Sequence, residues 1–315
     1  MRTTVPGVRT IVLSFTCLLF SLNSFSQSLS FNDKVEVGLG IGPMFFLGDL
    51  GGNAGKGSFF VKDINLPLTK MAKGINVNVY PQEWIGIRLS ATSGQLEAAD
   101  SVINAKGGDE MLRKERNLSF RSKLFEAYGA LEIYPTIPFE KYDGLQGKLR
   151  PYGVIGFGMF HFNPQGQYTA PDGTKAWVDL QPLRLEGEGM DEYPERGMYK
   201  LTQQEFLLGA GFKYYLSETF YLGFEVLHRK TFTDYLDDVS TDYIDPMLFD
   251  KYLAVEQSEV AHQMYNKTAN SYMRTSTGEG RGNSNNNDAF FSSIIKFGWR
   301  LSNIPTPRQI LCPRF

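Results

Sequence analysis

Cysteine is nearly missing from this chain: two copies, Cys17 and Cys312, occur in 315 residues. Cys17 lies in an N-terminal segment expected to be removed, so no internal disulfide can brace the mature protein. Cys312 is left as an unpaired thiol or a handle for an intermolecular bond. Beyond that segment no run of eighteen apolar residues occurs, which leaves no candidate for a transmembrane helix. A basic excess is also lacking, since the formal net charge is −2, and nucleic acid is therefore not an expected partner. Convincing amphipathic helices are few, and there are three histidines. Against these absences stand 14% aromatic residues and 32 glycines. Stability must come from burial, from lipid or from a closed sheet.

The N-terminus points to export. Arg2 and Arg9 are the charges that precede Asp33, and they flank the start of an apolar run from Ile11 to Leu22. That run is too short to span a bilayer. Ser24 and Ser26 put small residues where a signal peptidase reads, predicting a signal peptide over residues 1–26 with Gln27 as the new terminus. An N-terminal anchor helix is disfavoured by the same length argument. Removal of the segment deepens the net charge to −4.

The mature chain is dominated by period-two alternation. A first segment over 34–47 places Val35, Val37, Leu39 and Ile41 on one face and Glu36 with Gly38, Gly40 and Gly42 on the other. Ile75, Val77 and Val79 alternate with Asn76 and Asn78; Ile85, Ile87 and Leu89 alternate with Gly86, Arg88 and Ser90. A fourth segment over about 118–134 sets Phe125 and Leu131 against Glu126 and Glu132. The fifth, 151–162, is apolar on both faces, and its orientation stays open. Segments around 206–213, 220–229 and 289–301 complete a set of eight. Connections 48–71, 94–117, 163–203 and 231–288 are long, whereas 81–83, 135–149 and 217–219 are short. Long and short connections alternate strictly, as they do when one rim of an up-and-down barrel faces the periplasm and the other the exterior. The expectation is an all-β, eight-stranded antiparallel transmembrane β-barrel over 27–302, followed by a periplasmic tail over 303–315.

The polar face of these segments carries Glu36, Arg88, Glu126, Glu132, Lys213, Glu225, Arg229, Lys296 and Arg300. Eight strands enclose a space just wide enough for side chains, and mixed charges can pair there. We therefore expect a lumen closed by ion pairs, with no open pore. Tyr80, Trp84, Tyr134, Tyr152, Tyr214, Tyr215 and Phe220 lie near strand ends and are expected to form an interfacial aromatic girdle on the periplasmic side.

Chemistry-bearing motifs are weak. His161 and His228 fall at outer strand ends and His262 in the fourth long loop. His228 with Asp234 or Asp237 is a conceivable acid–base pair, yet no nucleophile or ligand set is spaced around it, so no catalytic residue and no cofactor are assigned. Asp234, Asp237, Asp238, Asp242 and Asp245 crowd into twelve positions. The first four are weak calcium candidates, but the spacing of a helix–loop–helix calcium site is missing, and capping of turns is the stronger expectation. Asp245-Pro246 has the form of an N-cap followed by proline, predicting a helix from Met247 to about Tyr265. The polar run from Arg281 to Asp288 has the composition of a flexible loop. Asn117-Leu118-Ser119 and Asn266-Lys267-Thr268 match a glycosylation pattern that is frequent by chance.

Several stretches, taken in order, carry a resemblance. They are Arg116–Ser122 ahead of Glu126 and Glu132; Pro151-Tyr152 leading to Phe160–Pro164; Trp177–Leu183 with Glu186–Gly189; Thr231–Ser240; and Arg281–Asn283 continuing to Asp288. Together they resemble the PorG-like outer-membrane barrel proteins of Bacteroidetes over roughly 34–301. The resemblance implies a non-enzymatic component of the type IX protein secretion machinery. In that family the barrel is not the export channel; it links the outer membrane to a periplasmic ring formed by a lipoprotein and its soluble partner. Without the resemblance, the composition equally fits a stand-alone surface barrel whose long outer loops bind a glycan, a protein or calcium.

Overall fold

The computed structural model describes residues 35–51, 68–103, 109–140, 144–268 and 275–301. The signal peptide expected over 1–26 and the tail with Cys312 lie outside the described residues. Eight antiparallel strands close on themselves: β1 (Val35–Leu47), β2 (Lys70–Gln82), β3 (Ile85–Ala99), β4 (Ser119–Ile133), β5 (Leu149–Thr169), β7 (Thr202–Tyr215), β8 (Phe220–Thr231) and β9 (Ala289–Leu301). Closure runs through β1 and β9, in register from Val35↔Leu301 to Leu47↔Ala289. β6 (Lys175–Asp179) is a ninth strand outside the ring, paired with the outer end of β5. It lies within the long connection 163–203 and did not stand out from the sequence.

Residues alternate across the wall as a membrane barrel requires. Leu39, Ile75, Leu89, Phe125, Phe157, Leu208 and Ile295 point outward and stay exposed, while Glu36, Arg88, Glu126, Glu132, Lys213 and Glu225 on the opposite parity are buried. Apolar surface outside and charge inside inverts the pattern of a soluble protein, and lipid is the solvent that makes it stable. The strands exceed the roughly 9–11 residues needed to cross; β5, at 21 residues, continues well past the outer edge of the apolar belt.

The lumen has two fillings. Toward the periplasmic rim it is polar. Toward the outer rim it is apolar, with Met44, Leu96, Phe120, Phe160, Phe162 and Phe290 packed against residues from the outer loops. This explains why the fifth segment is apolar on both sides: Phe157 and Met159 face lipid, whereas Phe160 and Phe162 enter the apolar upper core. Small lumen residues make room. A Cβ on Gly298 would stand 2.0 Å from the ring of Tyr221.

The outer loops fold into a cap. It contains α1 (Asp109–Arg116), β6, α2 (Met247–Tyr252) and α3 (Val255–Tyr265). The single helix expected over 247–265 is broken at Leu253-Ala254, where the backbone turns extended. The break lets Phe249 pack edge-on against His262 and Tyr265, both at 5.4 Å. In one continuous helix His262 and Tyr265 would stand about 20 and about 24 Å from Phe249 along the axis at ~1.5 Å per residue. Asp245 acts near the expected place, its carboxylate accepting from Met247 N at 3.0 Å, although the N-cap position falls on Pro246.

The wall geometry sets an expected cost for charge on its outer face. Leu208→Arg, in the middle of β7, is expected to lower unfolding free energy in lipid vesicles by about 2–4 kcal/mol, and Gln204→Arg near the outer rim by about 0–1. Urea titration followed by tryptophan fluorescence and heat-modifiable gel migration measures both.

Candidate functional site: a closed lumen beneath an acidic cap

The lower lumen is organised around Lys213. Its ammonium donates to Glu36 Oε2 at 2.8 Å, to Tyr80 OH at 2.6 Å and to Glu132 Oε2 at 3.1 Å. The rings of Tyr80, Tyr134, Tyr152 and Tyr221 surround it at 4.7–5.5 Å, so a cation–π shell supplements the ion pairs. Arg88 joins Glu132, through Nε at 2.7 Å, to Glu225 at 2.7 Å. Lys296 reaches the other oxygen of Glu225 at 2.7 Å. One layer further out, Arg229 forks onto Glu126 at 3.1 and 2.5 Å and also donates to Leu227 O.

Arg300 lies elsewhere. It stands opposite Glu36 in the β1–β9 register, half-exposed at the periplasmic mouth. There it lines a cavity of about 240 Å³ together with Glu36, Glu83, Arg150 and three tyrosines. Glu205 belongs inside, beside Glu126 and Arg229, and is fully buried. A segment begun at Phe206 stops one residue short of it, although the inward parity of Gly209, Gly211 and Lys213 extends to 205. Four cations, Arg88, Lys213, Arg229 and Lys296, thus meet five carboxylates, Glu36, Glu126, Glu132, Glu205 and Glu225. Buried charges that nearly balance can be held by mutual pairing.

The aromatic girdle needs correcting. Tyr80, Tyr134, Tyr152 and Tyr215 are buried in the lumen, whereas Trp84, Tyr214 and Phe220 do face outward. The four buried tyrosines share parity with Asn78, Glu132, Val154 and Lys213, and their hydroxyls serve carboxylates: Tyr215 donates to Glu36 at 2.9 Å and Tyr152 to Glu225 at 2.8 Å.

The cap contains a second buried polar network. Arg116 forks onto Asp100 at 2.8 and 3.0 Å and donates to Arg281 O and Asp49 O at 2.6 and 2.7 Å. Arg281 in turn donates to Glu186 at 2.8 Å and to Asp238 O at 2.6 Å. Glu186 also accepts from the amides of Ser240 and Thr241 at 3.0 and 2.7 Å. Its neighbours Gly187 and Gly189 adopt left-handed φ of 82° and 68°, a conformation other residues avoid; a Cβ at Gly187 would also meet the Tyr193 ring at 2.6 Å. The polar run 281–288 is therefore anchored at both ends, by Arg281 and by buried Asp288, which accepts from Leu236 N at 2.9 Å. The composition-based expectation of a flexible loop is corrected there, because the two charged side chains find partners distant in sequence.

The aspartates of 234–242 separate into two groups. Asp237 accepts from Leu50 N at 3.0 Å and Val239 N at 3.1 Å. Asp234 lies on the same side, near Asp49 and Asp288. Asp238 instead accepts from Tyr199 OH at 2.6 Å, and half-exposed Asp242 lies 3.5 Å from Arg196. Among the described residues no three carboxylate, histidine or cysteine donors are grouped as a metal site. His228 projects outward from β8 with Val226, opposite Leu208, while Asp237 is buried under the cap. The barrel wall lies between them. His262 contacts Asp250 at 3.3 Å on the exposed surface of the cap.

Burial governs the cap's protonation. It raises Asp234 and Asp238 to about 7 and Glu188 to about 8, assisted by neighbouring carboxylates such as Glu186. Asp237 and Asp288 are raised for the same reasons. In an opened cap these groups return to ordinary carboxylate values of 3.8 and 4.5. Between those values and 7–8 the closed cap holds more protons than the open one, so stability falls as pH rises. Below the window the contribution is full, and above it the loss is complete. Amide protection in 232–245, taken relative to the base-catalysed intrinsic exchange rate at each pH, is expected to be weaker at pH 8.5 than at pH 5, with Asp234→Asn and Glu188→Gln flattening the difference; equal protection at both values would contradict it.

Arg281→Ala strands Glu186 in a buried site, at a cost of about 3–5 kcal/mol. The expected result is rapid proteolysis of the outer loops with the barrel core left intact, whereas an unchanged digestion pattern would count against this role for Arg281.

No protein-family model and no curated protein matches this sequence. Among solved structures the chain is similar to the outer membrane protein OprG of Pseudomonas aeruginosa, at 12% identity over 86% of this chain and 98% of that one, with a TM-score of 0.33. It is also similar to the attachment invasion locus protein Ail of Yersinia pestis, solved with the heparin analogue sucrose octasulfate, at 6% identity, 84% and 95% coverage and a TM-score of 0.31. A third is the N-terminal β-barrel domain of Pseudomonas aeruginosa OprF, at 9% identity, 85% and 97% coverage and a TM-score of 0.28. The barrel assignment rests on the strand pairing and the outward apolar face rather than on these likenesses.

Proposed function

We propose that this chain is an exported, integral outer-membrane barrel that works as a closed scaffold, and that it is a non-enzymatic component of the type IX secretion machinery. The observation that carries the scaffold reading is the filled lumen. The charged side chains of the lower lumen are fully or almost fully buried, and the void between the Glu225 and Arg229 layers is about 20 Å³, room for roughly one water. A barrel so packed offers no path for solutes, so its role lies in what it holds on either side. The secretion reading is supported by the ordered resemblance, whose segments supply the cap's buried contacts: Arg116, Glu186, Asp238 and Arg281 all belong to them. Its partner face would be the periplasmic turns, which present Phe139 fully to solvent and are braced by Glu140 on Lys148 and Arg150. The partners would be the ring lipoprotein and its soluble companion, with outer-membrane lipid around the wall.

Deletion of the gene is expected to stop export of type IX cargo, and a tagged protein to co-purify with ring components. Normal cargo secretion in the deletion strain would reject the assignment. Purified protein in planar bilayers is expected to show no steady conductance; ohmic channels would reject the closed scaffold. A second reading, a surface barrel whose outer loops bind a ligand, is favoured by one observation: the outer loops pack into an ordered cap whose core continues into the upper lumen.

A further inference from the structure

The cap bears an open polar cleft of about 520 Å³ between the start of β4, the outer end of β5 and the C-terminal end of α3. Its lining contains hydroxyls from Ser101 and Ser119 and side-chain amides from Gln167 and Asn266, with no carboxylate among the described residues. The volume falls within the ~300–1,000 Å³ range of ligand clefts.

The walls come from three separate segments that are fastened to one another. Gln263 bonds both ways to the backbone of Thr169, accepting from its N–H and donating to its C=O, each at 2.9 Å. Lys267 Nζ donates to Gln167 O at 2.7 Å, and the Asn117 amide donates to Lys267 O at 3.4 Å. The one amine among the described residues of the lining is therefore engaged by the frame. Burial, reinforced by the charge of Arg281, lowers Lys267 to about 8, and its ammonium is turned to the Gln167 carbonyl of the frame.

An aromatic edge lies alongside. Trp177 stands directly opposite Gln167 in the β5–β6 register, and the guanidinium of Arg121 covers one face of its indole at 4.2 Å. The position is well clear of lipid. Along β4 the last exposed apolar residue is Phe125, followed outward by exposed Lys123, and Ser119 is about 20 Å beyond Phe125 at ~3.3 Å per residue.

We propose that this cleft binds a neutral oligosaccharide of two or three residues. Each sugar hydroxyl both donates and accepts, as do the hydroxyls and side-chain amides of the lining. An uncharged ligand suits a lining whose described residues include no carboxylate and whose one amine is already hydrogen-bonded to the frame. The flanking indole adds an apolar and π surface of the kind a sugar ring can cover. The proposal needs the cap to face the cell exterior but does not depend on the secretion role, so the two can fail independently.

The test uses the full-length protein in a detergent without a sugar headgroup, titrated calorimetrically with maltotriose, cellotriose, chitotriose, mannotriose and, as an acidic probe, trigalacturonic acid. At least one neutral trisaccharide is expected to bind with Kd below 1 mM. Gln167→Ala and Ser119→Ala are each expected to weaken that binding tenfold or more while heat-modifiable migration stays normal. Ser119→Ala, which removes one hydroxyl, keeps the test valid where Gln167→Ala disturbs folding. Binding of polysaccharide from the producing cell's own surface, with the same loss in both variants, would support the proposal and assign the source. No binding of any neutral sugar, binding of the acidic probe alone, or unchanged affinity in both variants would overturn it.

Discussion

Lys213 is the charge on which the inner half of this barrel depends. A closed sheet in lipid must turn its apolar side chains outward, and with eight strands the space left inside is too narrow for bulk water. Every charge placed there must find its counter-charge in the wall opposite. Lys213, on β7, meets Glu36 from β1 and Glu132 from β4, so one ammonium ties three strands across the lumen. Arg88 extends the link from β3 to β8 through Glu132 and Glu225. The tyrosines complete the network by donating to the same carboxylates and by facing the ammonium with their rings. The inner half is thus braced by cross-strand polar contacts, and apolar packing takes over toward the outer rim.

The outer half answers a different demand. Loops longer than about 15 residues rarely stay structureless in a compact protein, and these four supply Leu50, Leu118, Met190 and Phe249 to a core that continues down into the barrel mouth. Two arginines organise their polar contacts. Arg116 comes from the connection between β3 and β4, while Arg281 comes from the one before β9, and a backbone carbonyl of the second accepts from the first. Glu186, from the connection after β5, closes the triangle through Arg281.

Much of the wall was legible in the sequence, because a strand exposes its facing through parity alone and lipid makes that parity sharp. Leu89 against Arg88 is unambiguous. The alternation of short and long connections then determined which rim is which. Parity also held the facts that were misassigned: Tyr80 follows Asn78 and Tyr134 follows Glu132, so grouping them by nearness to strand ends misplaced them. Glu205 was missed through a boundary one residue late. The cap was far less legible. Asp237 with Leu50, or Arg281 with Glu186, are partners separated by 187 and 95 residues, and no local period announces such pairs. β6 is likewise short and depends on the overhang of β5 for its only neighbour. The acid cluster is the sharpest case. As a run of aspartates it resembled a cation site, yet the carboxylates are held in separate local settings, two turned toward Asp49 and Asp288, two toward Tyr199 and Arg196, and Asp245 on the Met247 amide.

The two polar networks differ in a way that bears on what each can do. In the lumen four cations face five carboxylates under an apolar upper core, and Glu36 alone of them lines the cavity at the periplasmic mouth. In the cap Arg116 and Arg281 are outnumbered by Asp49, Asp100, Glu186, Glu188, Asp234, Asp237, Asp238 and Asp288. An excess of buried carboxylates is tolerable where protons can be taken up, and the cap lies at the surface where they are supplied. The charges of the lumen therefore nearly balance within the wall, and the cap is the part whose carboxylates depend on protons from outside. A barrel with that division couples pH to its outer loops and leaves the pairing inside its wall untouched.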